Sequence, residues 1–312
     1  KGATKAKITK SFPMACTSKP ATILGKALPP EIANDSLIAR PALDPLKLPP
    51  IVTSTMIRLL LATLLLIQSA MAFTYPPKFE GARSEVYRHA SDTDLRLWFF
   101  GESGPANPKP AIVFFFGGGW NSGSPAQFEK QAKHFAERGM IAMVADYRVK
   151  SRNKTTAVEC VKDGKAAVAW IRENAKRLGI DPNRIAAAGG SAGGHVAATT
   201  GTLTGFGSDE RPNAMILFNP GLTFAELDGW KPKGFGVSEN AEAVKSRLGV
   251  ETAEELSPSH HVGPHTPPTL ILHGDKDTTV PVESAQVFEK QMKKANRPCK
   301  LVVTPGAGHG FF

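Results

Sequence analysis

Two hydrophobic patterns alternate along the chain from about residue 84 onward. Short apolar runs such as Ala111–Phe116, Met140–Ala145 and Ala214–Phe218 are typical of strands that are buried on both faces. Between these runs, apolar residues recur three and four positions apart, which is typical of amphipathic helices. The alternation predicts an α/β protein with a mostly parallel sheet and helices on both faces.

Capping and turn residues give approximate bounds for these elements. The predicted strands are Glu85–His89, Leu95–Phe100, Ala111–Phe116, Met140–Ala145, Arg184–Gly189, Ala214–Phe218, Thr269–His273 and Lys300–Thr304. The predicted helices are Pro125–Arg138, a longer helix that ends at Gly179, Ala192–Leu203 and Val282–Asn296. Residues 221–267 are too many for a simple helical crossover, so we expect a small insertion after the sixth strand.

The first 55 residues have neither of these patterns. They contain eight of the 25 prolines and show no apolar period. This composition is typical of a disordered segment, or of translated sequence upstream of a start at Met56. We favour upstream sequence for residues 1–55.

Residues 56–72 resemble a secretory signal peptide. Arg58 precedes a short apolar run, and Ala70-Met71-Ala72 predicts cleavage before Phe73. The alternative is a membrane anchor, but the apolar run is well short of the roughly 20 residues that span a bilayer. We therefore expect a secreted or periplasmic protein without a stable membrane anchor, whose catalytic domain is residues 73–312.

Charge and cysteine content exclude several classes of function. The net charge is +10, but residues 1–55 hold eight basic and only three acidic residues, and the later charges are scattered. A nucleic-acid partner is therefore not expected. Cys16, Cys160 and Cys299 are too few for a disulfide scaffold, and lone thiols are favoured over a bridge between the last two. No Cys/His spacing fits a metal site, so no metal is expected.

The segment Gly189-Gly190-Ser191-Ala192-Gly193 matches the pattern G-x-S-x-G. It lies between a predicted strand and a predicted helix, where a sharp turn needs small neighbours and exposes the serine hydroxyl. The alternative is a glycine-rich loop of a dinucleotide-binding protein, but no G-x-G-x-x-G opens the first βαβ unit. The context therefore favours Ser191 as a nucleophile.

Three consecutive glycines follow the third predicted strand. They occur in Phe116-Gly117-Gly118-Gly119-Trp120, and they leave the backbone N–H groups unobstructed by side chains. Together with the N–H of Ala192, such donors would stabilise the oxyanion of a tetrahedral intermediate. A tight turn without a ligand is the alternative.

Several motifs, in this order, resemble the α/β-hydrolase esterase and lipase group, including its hormone-sensitive-lipase-like and feruloyl- or acetyl-esterase-like members. They are the glycine loop, Asp146-Tyr147-Arg148, the serine motif through His195, and His273-Gly274-Asp275-Lys276-Asp277 through Pro281. The resemblance covers about Ser84 to Phe312. It implies an α/β-hydrolase fold with an eight-stranded sheet, and oxyanion donors at Gly118, Gly119 and Ala192.

Two residues depart from the family pattern. Phe116 stands where the family usually has histidine, so packing must replace whatever the imidazole stabilised in the loop. Gly190 stands where hormone-sensitive-lipase-like members typically carry aspartate, which favours the smaller carbohydrate-esterase-like relatives.

The acid and the base follow the nucleophile in this fold. Asp275 and Asp277 both come after a late strand, and the family pattern H-G-x-x-D favours Asp277 as the acid, with Asp275 as a turn residue. His309 lies on the loop after the last strand, where the base is expected. Of the other histidines, we expect His195 to pack behind the serine and His273 to bond its own loop.

Large aromatic side chains near the predicted site are candidates for a substrate pocket. They are Trp120, beside the glycines, and Phe224, Trp230 and Phe235, in the insertion. The alternative is that the aromatic residues of the insertion simply pack within it.

The expected reaction is hydrolysis of a carboxylic ester through an acyl-enzyme, without a cofactor. Substrates with short acyl groups, or acetyl and feruloyl esters of carbohydrates, follow from the resemblance alone. Two alternatives stay open: a serine peptidase of the same fold, and a non-catalytic binding protein.

Overall fold

The computed structural model describes residues 75–102, 104, 106–232 and 240–312. The predicted upstream segment, the predicted signal peptide, Cys16, Phe73 and Phe235 lie outside the described residues. Within the described part of the chain, no helix is long and apolar enough to cross a bilayer.

Eight strands form one sheet in the described part of the chain, in the order β1-β2-β4-β3-β5-β6-β7-β8. Their bounds are β1 Arg83–Ala90, β2 Thr93–Phe100, β3 Lys109–Phe115, β4 Ile141–Ala145, β5 Ile180–Gly190, β6 Ala214–Phe218, β7 Thr269–Gly274 and β8 Cys299–Thr304. Strand β2 pairs antiparallel with β1 and β4, and all the other neighbours are parallel. This confirms the predicted α/β-hydrolase fold, with its mostly parallel eight-stranded sheet.

Helices connect the strands and cover both faces of the sheet. Their bounds are α1 Glu129–Glu137, α2 Lys150–Asn153, α3 Ala157–Glu173, α4 Ala175–Leu178, α5 Ala192–Thr202, α6 Ala241–Leu248 and α7 Val282–Lys294. Single 3-10 turns occur at Pro125–Phe128, Ala253–Leu256 and Pro258–His261. Helix α6 and the last two turns belong to the insertion that was predicted after the sixth strand.

The helix that was expected to run as far as Gly179 is broken at Asn174, where α3 ends and α4 begins. The Asn174 side-chain amide donates to the carbonyl of Trp170 at 2.9 Å. A short polar side chain that bonds back to the preceding turn competes with helix continuation. Gly179 then ends α4 with φ of 65°, as its sequence position indicates.

The central strands form the core, because helices cover both of their faces. All five residues of β4 are buried, as are the last five residues of β3. Cys160 is buried and Cys299 is partly buried, and both are free thiols. The carboxyl ends of β3, β5, β6, β7 and β8 meet at one edge of the sheet, because these strands are parallel. The loops that leave this edge form the candidate site.

Candidate active site

Ser191 occupies a sharp turn between β5, which ends at Gly190, and α5, which begins at Ala192. Its φ of 56° and ψ of −120° are strained for a residue with a side chain. The backbone holds this conformation: the Ser191 N–H donates to the Phe218 carbonyl at 2.9 Å, and the Ser191 carbonyl accepts from the His195 N–H at 3.0 Å. The turn leaves the side chain at the carboxyl edge of the sheet.

Close backbone packing explains why the neighbours of Ser191 are small. A Cβ at Gly193 would overlap the carbonyl oxygens of Phe115 and Phe116. A Cβ at Gly189 would overlap the Gly193 carbonyl. Larger residues at these two positions would push the helix away from the strands, so the motif is required by packing.

His309 lies between Ser191 and Asp277. Its Nε2 is 2.8 Å from the Ser191 Oγ, and its Nδ1 is 2.7 Å from Asp277 Oδ2. His309 is 118 positions from Ser191 and 32 positions from Asp277 in sequence. The three side chains therefore form one continuous chain of hydrogen bonds, in the geometry of a nucleophile, a base and an orienting acid.

The Asp277 carboxylate also accepts two backbone hydrogen bonds, from the N–H groups of Thr279 and Val280, both at 2.9 Å. Burial raises the pKa of Asp277, but hydrogen bonds from His273, His309 and Val280 outweigh burial and hold the pKa well below its ordinary value. The carboxylate is therefore charged where it faces the imidazole. Asp275, by contrast, accepts from the Gly306 N–H at 2.6 Å and is placed as a turn residue.

His273 is fully buried beside Asp277, a contact that the sequence did not indicate. Its Nε2 is 2.8 Å from the Val280 carbonyl, which agrees with the predicted bonding to its own loop, and 3.4 Å from Asp277 Oδ2. Both neighbours are acceptors, so Nε2 carries the hydrogen. Within the described residues, the buried Nδ1 has no hydrogen-bond partner.

Asn219 connects the loop of the acid to the loop of the base. Its Oδ1 accepts from the Gly274 N–H at 3.0 Å, while its Nδ2 donates to the carbonyls of Gly308, at 3.3 Å, and His309. It directly follows β6, is fully buried and has φ of 39°, a region that asparagine tolerates better than most residues. No motif marks Asn219. The one feature of the sequence that could have indicated a role in the site is its position just after a buried strand, at the carboxyl edge of the sheet.

The glycine loop lies against the serine. The Gly117 N–H donates to Gln127 Oε1 at 2.5 Å, which ties the loop to the turn before α1. Gly118 and Gly119 have φ of 129° and 62°, and their N–H groups have no acceptor among the described residues. Ala192 is the first residue of α5, so its N–H has no intrahelical acceptor. The three predicted oxyanion donors thus remain available to a ligand.

Packing holds Phe116 in the place where the family usually has histidine. Its buried ring stacks on Tyr147, with centroids 4.1 Å apart and an interplanar angle of 13°. The Tyr147 hydroxyl donates to the Phe116 carbonyl at 2.5 Å. An aromatic stack and one hydrogen bond therefore support the loop. This agrees with the expectation that packing replaces the imidazole of the family pattern.

A cleft of about 530 Å³ opens over the serine. Its walls include Gly118, Gly119, Gln127, Ser191, His309 and Phe312. None of the three described aromatic residues that were predicted to line a pocket belongs to these walls. Trp120 and Phe224 are buried, with ring centroids 5.7 Å apart, and Trp230 pairs with Leu227 across a tight turn.

Trp120 lines a second cleft of about 380 Å³, which also includes Gly119 of the glycine loop. A substrate-binding role of Trp120, Phe224 and Trp230 therefore stays a prediction, and it does not concern the cleft directly over Ser191. The physical reason is that burial in the interior removes the apolar surface of a large side chain from water, which stabilises the fold, and the same residue types also line pockets. Here Phe224 of the insertion packs edge-to-face against Trp120 of the glycine loop.

His195 is fully buried one helical turn after the serine. It donates from Nε2 to the Leu256 carbonyl at 2.8 Å and accepts from the Trp120 indole N–H at 3.2 Å. Burial lowers its pKa to about 4, so the ring is neutral near pH 7. His195 links the helix after the serine to the glycine loop and to the insertion, as its expected packing role requires.

Comparisons with known proteins agree with this geometry. Residues 99–220 and 223–292 match the family described as BD-FAE. A thermophilic esterase from Thermogutta terrifontis, Est2, has a solved structure that is 46% identical, with a TM-score of 0.71, covering 77% of this chain and 86% of that one. Other structures of the same esterase contain propionate or butyrate, or are phosphonylated by sarin.

Curated relatives are more distant. Esterase LipC of Mycobacterium tuberculosis is 31% identical over 66% of this chain and 54% of its own length. The acetylxylan esterase of Xylanibacter ruminicola is 30% identical over 66% of this chain and 42% of its own length. The chain thus spans about half the length of the curated relatives that it matches.

Proposed function

The chain belongs to the BD-FAE family of α/β-hydrolase esterases, and we propose that it is a carboxylic ester hydrolase that uses Ser191 as its nucleophile. One observation carries the proposal: the continuous hydrogen-bonded chain from the Ser191 hydroxyl through His309 to Asp277. The esterase relatives support the same class of reaction.

In the proposed mechanism, the Ser191 Oγ attacks the ester carbonyl while His309 Nε2 takes the hydroxyl proton. The N–H groups of Gly118, Gly119 and Ala192 stabilise the oxyanion that forms. The tetrahedral intermediate collapses, the C–O bond breaks, and the imidazolium returns its proton to the departing alcohol. A water molecule, deprotonated by His309, then attacks the acyl carbon. As the bond between that carbon and the Ser191 Oγ breaks, the imidazolium returns the proton to Oγ, which releases the carboxylic acid and regenerates Ser191.

Asp277 acts through the imidazole. It accepts a hydrogen bond from Nδ1, which keeps Nε2 unprotonated and directed at the serine, and its charge stabilises the imidazolium. The depressed pKa of Asp277 supports this role, because the carboxylate keeps its charge throughout the cycle.

We propose that the acyl group is short, as in acetyl esters, and that the alcohol is a small molecule or a carbohydrate. The structures of the Thermogutta esterase with propionate and butyrate support a short acyl group, and the acetylxylan esterase supports a carbohydrate alcohol. The export signal predicted for residues 56–72 is compatible with a polysaccharide substrate.

A fluorophosphonate probe and a series of p-nitrophenyl esters test the proposal. The purified wild type should be labelled, and Ser191→Ala should abolish both labelling and turnover. Folded wild type that resists the probe would refute the serine mechanism. Turnover should fall from acetate to longer acyl chains, whereas faster cleavage of long chains would indicate a lipase instead.

Export is a separate proposal. Expression of residues 56–312 in a secreting host should release a chain that begins at Phe73, as N-terminal sequencing would show. Retention of an uncleaved chain in the membrane fraction would instead favour the anchor.

A further inference from the structure

The charged side chains that line the clefts beside the glycine loop are basic. Arg247, near the end of α6, lines the cleft over Ser191, and among the described residues none of the residues lining this cleft is Asp or Glu. A second cleft of about 380 Å³ shares Gly119 and Arg247 with the first. Lys150 lines the second cleft, and no acidic residue does so in the described part of the chain.

Arg247 is held against the glycine loop. Its guanidinium carbon lies 5.6 Å from the centre of the Trp120 ring, in the geometry of a cation–π contact. One of its terminal nitrogens, Nη2, would lie 3.8 Å from a Cβ at Gly119. The guanidinium therefore lies next to one of the proposed oxyanion donors.

Arg247 has no carboxylate partner among the described residues. Lys245, two positions earlier on the same helix, differs in this respect, because its Nζ pairs with Glu251 at 2.8 Å. Desolvation lowers the pKa of Arg247, which is the effect expected of a cation partly removed from water without a counter-ion. A ligand carboxylate would supply that counter-ion, and arginine binds carboxylates through two parallel N–H groups.

We propose that Arg247 selects esters that carry a carboxylate close to the scissile bond, in either the acyl or the alcohol portion. The inference rests on the proposed ester hydrolysis and specifies its substrate class. Lys150 extends the positive surface into the second cleft, so a longer anionic alcohol, such as an acidic oligosaccharide, has room beyond the glycine loop.

Two matched substrate pairs test this inference and separate the two portions. For the acyl portion, mono-p-nitrophenyl glutarate is compared with p-nitrophenyl pentanoate, which has the same number of carbons in its chain. For the alcohol portion, acetylated methyl galacturonoside is compared with acetylated methyl galactoside. Wild-type kcat/KM should be about tenfold higher for the charged member of at least one pair, since hydrogen bonds to charged groups have about this strength.

In Arg247→Gln, the ratio of charged to neutral kcat/KM should fall to about one, whereas Arg247→Lys should keep part of the preference. Lys245→Gln, on the same helix but outside both clefts, should keep the wild-type ratio. Added salt should reduce the wild-type preference, since part of the site is open to solvent.

Equal turnover of both members of both pairs by the wild type would overturn the inference while leaving ester hydrolysis intact. The same would follow if Arg247→Gln kept the wild-type ratio. If the wild type cleaved neither neutral ester nor charged ester, the proposed function itself would fail, and this inference with it.

Discussion

The two sides of the candidate site are built in different ways. On the side of Ser191, backbone carbonyl groups crowd the glycines at 189 and 193 and leave no space for a side chain. On the side of His309, the flanking Gly308 and Gly310 have open space around them. The loop of the base is held instead by side-chain hydrogen bonds: Asn219 Nδ2 donates to the Gly308 carbonyl, and Asp277 accepts from His309 Nδ1.

This contrast predicts which substitutions lower the stability of the fold and which lower the activity. The nucleophile is positioned by main-chain packing, which any added atom would disturb. The base is positioned by a few polar side chains, whose loss would leave the fold intact and the imidazole misplaced. Substitutions on the two sides should therefore separate loss of stability from loss of activity.

The largest expected effect concerns the side of the base. Asp277→Asn should lower kcat about 10⁴-fold, because the amide no longer favours the required imidazole tautomer. Steady-state kinetics with p-nitrophenyl acetate measures the loss. Asp275→Asn is the matched control, and it should change kcat only slightly, because Asn can still accept from the Gly306 N–H. Comparable losses in the two variants would contradict the assignment of Asp277 as the acid.

On the side of the nucleophile, Gly193→Ala should destabilise the fold by roughly 3 kcal/mol or more, because its Cβ would overlap two carbonyl oxygens. Gly308→Ala places the same methyl group in open space and should stay within about 0.5 kcal/mol of the wild type. Urea unfolding of both variants provides the measurement. Equal stabilities would show that the serine turn tolerates side chains after all.

The buried, neutral His195 behind the serine predicts that the stability of the fold depends on pH. The pKa of His195 is about 4 in the folded state and about 6.5 in the unfolded chain. The unfolded state therefore binds more protons between these values, and stability is lost as the pH falls from about 6.5 to about 4. The loss amounts to about 3 kcal/mol.

Unfolding free energies at about pH 7 and about pH 4 should show this loss in the wild type and not in His195→Gln. Asp146, whose pKa burial raises to about 6, acts in the opposite direction. Its contribution is common to both proteins, so it cancels in the comparison. An equal drop in the two proteins would mean that His195 does not titrate as stated.

Asn219→Ala should give the smallest of these effects, about a 100-fold lower kcat with little change in KM, because a small displacement of the base has this cost. Labelling of Ser191 by the fluorophosphonate should slow in parallel. Asn213, just before β6, accepts from the Ile185 N–H at 2.9 Å at the opposite end of the strand. Asn213→Ala should lower stability without lowering kcat, and a similar loss of kcat there would show that the Asn219 effect is only structural.

Most of the fold could be predicted from the sequence. Strand β6 was predicted residue for residue, and most other strand and helix bounds were close, because hydrophobic period and capping residues are local signals. The break at Asn174 was missed, because a side chain bonding to the preceding turn leaves the apolar pattern unchanged. The aromatic residues assigned to the pocket do not line the cleft over Ser191, because burial in the core stabilises a large apolar side chain as well as a pocket does, and the sequence does not distinguish the two.

Local features could be read from the chain alone: the order of strands and helices, the small residues that allow a turn at Ser191, and the candidates for acid and base. The chain alone did not show which distant loops come together at the site. The folded chain places Asp277 rather than Asp275 against His309, brings His273 and Asn219 to the same loops, and sets Arg247 beside the glycine loop. These contacts join loops far apart along the chain, and their geometry depends on the parallel packing of the whole sheet rather than on any local pattern.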